Sequence, residues 1–127
     1  MARIIIAEDD EIVSEVVREA LTGAGHVVGV VENGVDALRA IQVKKPDLVI
    51  LDCNMPELNG LLVLREIRNS LSLYNTPVLV LTGRQSRRDI DVAYNQGADD
   101  YMTKPFDPEE LVFRVDELLK KRSANRA

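Results

Sequence analysis

Five short apolar runs punctuate the chain: Ile4 to Ala7, Val27 to Val31, Leu48 to Leu51, Val78 to Leu81, and a weaker one around Tyr101 and Met102. They are rich in Leu and β-branched residues and lack polar alternation, which suits strands covered on both faces, as in a parallel sheet. Between them the period changes. Ile12, Val13, Val16, Val17, Ala20, Leu21 and Ala24 recur at intervals of three and four and predict a helix with Ser14, Glu15, Arg18, Glu19 and Thr22 outside, stopped by Gly23 and Gly25. Val35, Leu38 and Ile41 mark a second helix ending before Pro46, and Leu61, Leu64, Ile67 and Leu71 a third ending before Pro77. Ile90, Ala93 and Tyr94 give a weaker fourth, closed by Gly97. Leu111, Val115, Leu118 and Leu119 give a fifth, with Asp107 as its N-cap and Pro108 in its first turn.

Five βα units in alternation predict a doubly wound α/β fold with right-handed crossovers and helices on both faces of the sheet. The flavodoxin-like strand order 2-1-3-4-5 fits five strands and places ligands at their carboxyl ends. No internal repeat or linker interrupts the pattern, so a single domain is expected over residues 1–121, with 122–127 as a flexible basic tail or the start of a linker.

Length and composition narrow the class. A chain of 127 residues buries about two thirds of its unfolded surface and folds without a metal or disulfide staple. With 46% hydrophobic and 29% charged residues it reads as a soluble globular protein, and no apolar run approaches a membrane span or a signal peptide. Cytoplasmic residence is expected. The lone Cys53 cannot form an internal disulfide, which agrees with a reducing compartment. A net charge of −5 argues against direct nucleic-acid binding.

The chemistry lies where the strands end. The first strand runs into Glu8, Asp9 and Asp10; the third into Asp52, Cys53 and Asn54; the fourth into Thr82 and Gly83; the fifth is followed by Lys104 and Pro105. Strands 1, 3, 4 and 5 are successive neighbours in the proposed order, so these groups should share one crevice. Singly, each has a plain structural role: Asp10 as a helix cap, Thr82 as a partner for a local backbone group, Lys104 as a solvated amine. Asp52, after a fully apolar run, is harder to place without a function. Two carboxylates about 4 Å apart repel by about 4 kcal/mol at an effective dielectric near 20, so Glu8, Asp9 and Asp52 call for a cation. Mg²⁺ fits: it takes oxygen ligands, including the Asn54 backbone carbonyl, and usually shares them with a phosphoryl group. A carboxylate in that setting is a nucleophile toward phosphorus. Asp52 is then the phosphoacceptor, with Lys104 as a second cation, Thr82 donating to a phosphoryl oxygen, and Gly83 leaving room for the incoming group.

At this point "IIIAEDDE", "PDLVILDCNMPELNG", "PVLVLTG" and "GADDYMTKPF" together resemble the receiver domain of two-component response regulators, in order and spacing over essentially the entire chain. The resemblance implies phosphorylation of Asp52 by a phosphohistidine of a sensor histidine kinase or histidine phosphotransfer protein, with Mg²⁺ held by Glu8 and Asp9, and Asp10 as a third acid beside that pair. It implies that Thr82 and Tyr101 form a switch pair, that Lys104 binds phosphate, and that the Lys104 to Pro105 bond is cis. Tyr101 would turn inward as Thr82 moves, altering the surface of the fourth helix, fifth strand and fifth helix for a downstream protein or a fused output domain. Two residues go beyond the family pattern. Arg84 is read as overhanging the pocket, or as a plain solvated arginine; Phe113, about 200° around its helix from Leu111, is a candidate contact for a partner or a phosphorylation-dependent homodimer.

Three rivals share parts of this pattern. A phosphatase of the haloacid dehalogenase type also uses Asp, Thr, Lys and Mg²⁺, but carries a second Asp two residues after its nucleophile, where this chain has Asn54. A flavodoxin-like cofactor binder needs a first loop that cradles phosphate, which "AEDDE" would repel. A receiver-like scaffold that is never phosphorylated stands against the acidic, Asp, Thr and Lys positions all being filled.

Overall fold

The computed structural model describes residues 1–55, 59–83 and 87–126, and side chains as far as Arg122. Five strands, β1 (Arg3–Ala7), β2 (Val27–Val31), β3 (Leu48–Leu51), β4 (Val78–Thr82) and β5 (Asp100–Thr103), alternate with α1 (Glu11–Gly23), α2 (Gly34–Lys44), α3 (Gly60–Arg68), α4 (Arg87–Asn95) and α5 (Pro108–Arg126). All strand pairs are parallel, in the order β2-β1-β3-β4-β5.

Strand alternation splits the core into two layers. Ile4, Ile6, Leu48, Ile50, Leu79 and Leu81 face α1 and α5, where they meet Val17, Leu21, Leu111 and Val115. Ile5, Ala7, Val49, Leu51, Val78 and Val80 face the other way, against Ala37, Ile41, Val63, Leu64, Ile67 and Ala93. β3 and β4 are buried throughout, as their unbroken apolar runs require.

Several local expectations need correction. β2 is an edge strand and is partly exposed rather than covered on both faces. In α1, Ile12 is 78% exposed and Val16 also faces outward, while Ser14 is buried, its hydroxyl donating to the Glu11 carbonyl. The buried stripe is narrower than the spacing of apolar residues suggested: Ser14, Val17 and Leu21 are buried, and Val13 packs beside them. Val35 is exposed on α2, where Ala37 and Ile41 make the contact. Leu71 is fully exposed because α3 has already ended at Arg68, and Leu73 fills the core in its place. α5 runs without a break past residue 121, and Arg122 donates to the Asp47 carbonyl at 2.6 Å. No helix among the described residues is long and apolar enough to cross a membrane.

Helix ends are held by their own side chains. Asp10 caps α1 by accepting from the amides of Ile12 and Val13, Asn33 caps α2, Asn59 caps α3, and Asp107 accepts from Glu109 at the start of α5. At the opposite edge of the sheet, Arg68 supplies donors the loops lack. Its Nε donates to the Gly97 carbonyl at 2.9 Å, Nη1 to the carbonyls of Thr76 (2.7 Å) and Tyr74 (3.1 Å), and Nη2 to Asp99 at 2.8 Å. Gly97, at φ +107°, leaves room for this side chain.

Removing these donors would leave the carbonyl of buried Thr76 and the half-buried Gly97 carbonyl without their partner. Arg68→Ala is therefore expected to lower the free energy of unfolding by about 2–3 kcal/mol in urea titrations, and Arg68→Lys to recover little of it, since one ammonium cannot reproduce a planar fork. A change below about 0.5 kcal/mol would contradict this role.

Candidate functional site

Parallel register brings the strand ends level. Ala7 pairs with Leu51, Leu51 with Val80, and Thr82 with Thr103, so the residues that follow these strands emerge at one edge. Glu8 and Asp52 are both buried there, at 2% and 5% exposure, whereas Asp9 is exposed. One oxygen from each of Glu8, Asp9 and Asp52 lies within 4.8 Å of the others. Asp10 is not part of this group: its carboxylate is engaged in capping α1.

Lys104 is the counterion. Its Nζ lies 3.2 Å from Asp52 Oδ2 and forms a close ion pair with Glu8 Oε1. Asp52 Oδ1 accepts the Asn54 amide at 3.1 Å, and the Asp10 amide donates to Glu8 Oε2 at 3.3 Å. Glu8 Oε1 is enclosed and meets the Lys104 ammonium, which it shares with Asp52. Burial pushes the Glu8 carboxyl up to about 7, with Asp52 adding to the rise and Lys104 opposing it. For Lys104, burial disfavours the charge, but Glu8 and Asp52 outweigh it and raise the ammonium above its usual range. Three carboxylate oxygens gathered within 4.8 Å, with one ammonium between two of the acids, are a donor set suited to a hard divalent cation, so the residues fit Mg²⁺.

Two neighbours shape the crevice. Thr82 is completely buried, and its carbonyl accepts the Lys104 amide at 2.9 Å, which ties the end of β4 to the residue after β5. Gly60, the first residue of α3, donates its amide to the Cys53 carbonyl at 3.2 Å, and a Cβ there would stand 2.0 Å from the Asp52 carbonyl oxygen. The close approach of α3 to the Asp52 backbone requires glycine. Cys53 is buried in the core layer facing α2 and α3. Pro56 and Arg84 lie outside the described residues.

Tyr101, expected to turn inward on phosphorylation, lies inside in this structure. It is already buried, at 7% exposure, within the core layer of α3 and α4. Arg114 holds the segment from outside, donating to Asp100 Oδ1 at 3.0 Å, to the Tyr101 carbonyl at 3.3 Å, and to Glu110. The spacing of Glu110 and Arg114 announces their i,i+4 pair, but nothing in the sequence reveals the third partner on β5. The bond between Lys104 and Pro105 is cis, as expected.

The sign of the pH effect follows from the raised Glu8 carboxyl. A folded-state value of about 7 against an ordinary 4.5 means the native protein holds this proton more tightly. The associated stability is complete below the ordinary value and is lost as pH rises through about 7. In chelator, the urea midpoint should fall between about pH 5 and about pH 8, and Glu8→Gln should flatten that slope. Equal slopes in the two proteins would contradict the assignment.

Comparison with known proteins agrees with this geometry. A family model described as the response regulator receiver domain matches residues 4–116. A response regulator MprA from Mycobacterium sp. (strain KMS) is 41% identical over 121 residues, covering 95% of this chain and 52% of the relative, and the Mycobacterium avium MprA is 40% identical over 119 residues, covering 94% and 51%. The chain thus spans about half the length of these curated relatives. Among solved structures, the Francisella response regulator 1452 receiver domain superposes with a TM-score of 0.89 at 30% identity, covering 95% of this chain and 98% of that one. The chemotaxis response regulator CheY4 of Vibrio cholerae gives 0.88 at 29% identity, covering 93% and 98%. With its strand order, its cluster of acids and this match over most of its length, the chain belongs to the response regulator receiver domain family.

Proposed function

We propose that Asp52 accepts a phosphoryl group from a phosphohistidine on a sensor histidine kinase or histidine phosphotransfer protein. The observation that carries this reading is the convergence of two buried carboxylates, Glu8 and Asp52, on the Lys104 ammonium at the carboxyl edge of the sheet. An Asp52 oxygen attacks phosphorus, the N–P bond breaks, and the imidazole departs with its electron pair. Lys104 already sits 3.2 Å from the attacking carboxylate and is placed to meet a phosphoryl oxygen. The Thr82 hydroxyl donates to another, and Gly83, where an added Cβ would meet nothing within 4 Å, leaves the approach open. Glu8, Asp9, Asp52 and the Asn54 carbonyl would hold Mg²⁺, which offsets charge on the transferring group. Asn54 stands where a phosphatase would carry its acid, so the acyl phosphate persists as a signal and the domain does not turn over a separate substrate.

Phosphorylation adds charge and acceptor oxygens at Asp52. Because Tyr101 already lies inside, the change acts by drawing Lys104 away from Glu8 and drawing Thr82 toward the phosphoryl group. Lys104 and Thr82 share a backbone hydrogen bond, so both loops respond together and the surface of α4, β5 and α5 shifts. Phe113, 64% exposed on α5, is the proposed contact for a partner or for a phosphorylation-dependent homodimer. The greater length of the relatives supports delivery of the signal to a fused output segment, with a separate protein target as the alternative. The domain works in the cytoplasm, without contacting membrane or nucleic acid itself.

The test is incubation with Mg²⁺ and acetyl phosphate, followed by intact-mass measurement. One hydroxylamine-labile phosphoryl adduct is expected, absent in Asp52→Asn and formed about tenfold or more slowly in Lys104→Met. Sustained phosphate release without an adduct would favour a phosphatase, and an adduct retained in Asp52→Asn would exclude this acceptor.

A further inference from the structure

β2 is an open edge of the sheet, and its sequence VVGVV reads the same in both directions about Gly29. The Val27 amide donates to the Ala2 carbonyl, and the Glu8 amide donates to the Val31 carbonyl, both at 2.9 Å. The backbone polar groups of Val27, Gly29 and Val31 therefore face β1, and the two-residue period turns those of Val28 and Val30 outward. Among the described residues, no strand pairs with them.

Neither flanking helix closes this edge. Val27 is 53% exposed and Val30 37%, and their odd spacing puts them on opposite faces of the sheet. Ile12 and Val16 of α1 and Val43 of α2 add further exposed apolar side chains. Edge strands are usually blunted by Lys, Pro or a bulge, and β2 contains neither Lys nor Pro and pairs with β1 in unbroken register. Gly29 also lacks an explanation within one copy of the chain. A Cβ added there meets nothing within 4 Å, and its φ lies outside the region that favours glycine.

We propose that β2 is a self-association edge whose occupant is a second copy of this chain, paired antiparallel about a two-fold axis through Gly29. The palindrome makes the contact self-complementary, as a two-fold interface requires. Val28 exchanges both outward hydrogen bonds with the partner's Val30, and the same pair repeats across the axis, giving four bonds. Gly29 then opposes its own copy at a non-hydrogen-bonded position, where antiparallel strands approach to about 4.5 Å between Cα atoms, within reach of a cross-strand disulfide. Glu32 opposes the partner's His26, so no like charges meet directly across the pair. The five-residue edge is short, which makes the dimer weak and concentration-dependent. It is separate from the α4–β5–α5 surface and requires no phosphorylation.

The test is sedimentation of the unphosphorylated protein in chelator from about 10 µM to about 1 mM. A dimer should grow with concentration, weaken about tenfold or more in Val30→Lys, and stay unchanged in Phe113→Ser. Because a Cβ is accommodated at Gly29 and Cys53 is buried, Gly29→Cys provides a second reading. On mild oxidation it should give a disulfide-linked dimer about tenfold faster than Leu71→Cys, which is fully exposed on the connection between α3 and β4. A monomer at every concentration, a dimer insensitive to Val30→Lys, loss of the dimer in Phe113→Ser, or equal cross-linking rates would each overturn the proposal.

Discussion

Mutual repulsion between Glu8 and Asp52, restrained by a single ammonium, is the constraint around which this domain is arranged. Both carboxylates are buried, and both draw on Lys104. One cation for two buried anions, with a third acid at the rim, leaves the cluster short of positive charge. That deficit appears in the Glu8 carboxyl, pushed up to about 7 by burial and by Asp52. That charge deficit is what supports the proposed uptake of a divalent cation beside the phosphoacceptor.

The rest of the fold keeps these groups from relaxing apart. β1 and β3 are adjacent and in register, so Glu8 and Asp52 follow paired residues and cannot separate without breaking the sheet. Lys104 is fixed through its amide to Thr82, and Gly60 lets α3 press against the Asp52 backbone. At the far edge, Arg68 ties α3 to the loops entering β4 and β5. The acidic cluster is thereby held by rigid elements, which the proposed switch requires if a local charge change is to move a distant surface.

Much of this was legible in the sequence. The strands could be placed because Leu48–Leu51 and Val78–Leu81 are apolar on both faces, a pattern that few other elements share. The site followed from topology, because one strand order gathers Glu8, Asp52, Thr82 and Lys104 at one edge. What could not be read depends on three-dimensional neighbours. The exposure of Ile12 and burial of Ser14 depend on how α1 is rotated over the sheet, which periodicity fixes only to within a turn of ambiguity. The need for glycine at position 60 comes from a carbonyl eight residues away, and the roles of Arg68 and Arg114 come from carbonyls on other elements. The inward position of Tyr101 depends on the packing of α3 and α4 around it, which its own sequence does not contain.

If Lys104 occupies carboxylates that a divalent cation would otherwise hold, the two compete for the same oxygens. Calorimetric titration of Mg²⁺ into the wild-type protein and into Lys104→Met tests this most directly. The account predicts one site per chain in both proteins, with affinity about tenfold or more higher in Lys104→Met, where the competing ammonium is gone. Absence of saturable binding in the wild type, or equal affinities in the two proteins, would contradict it.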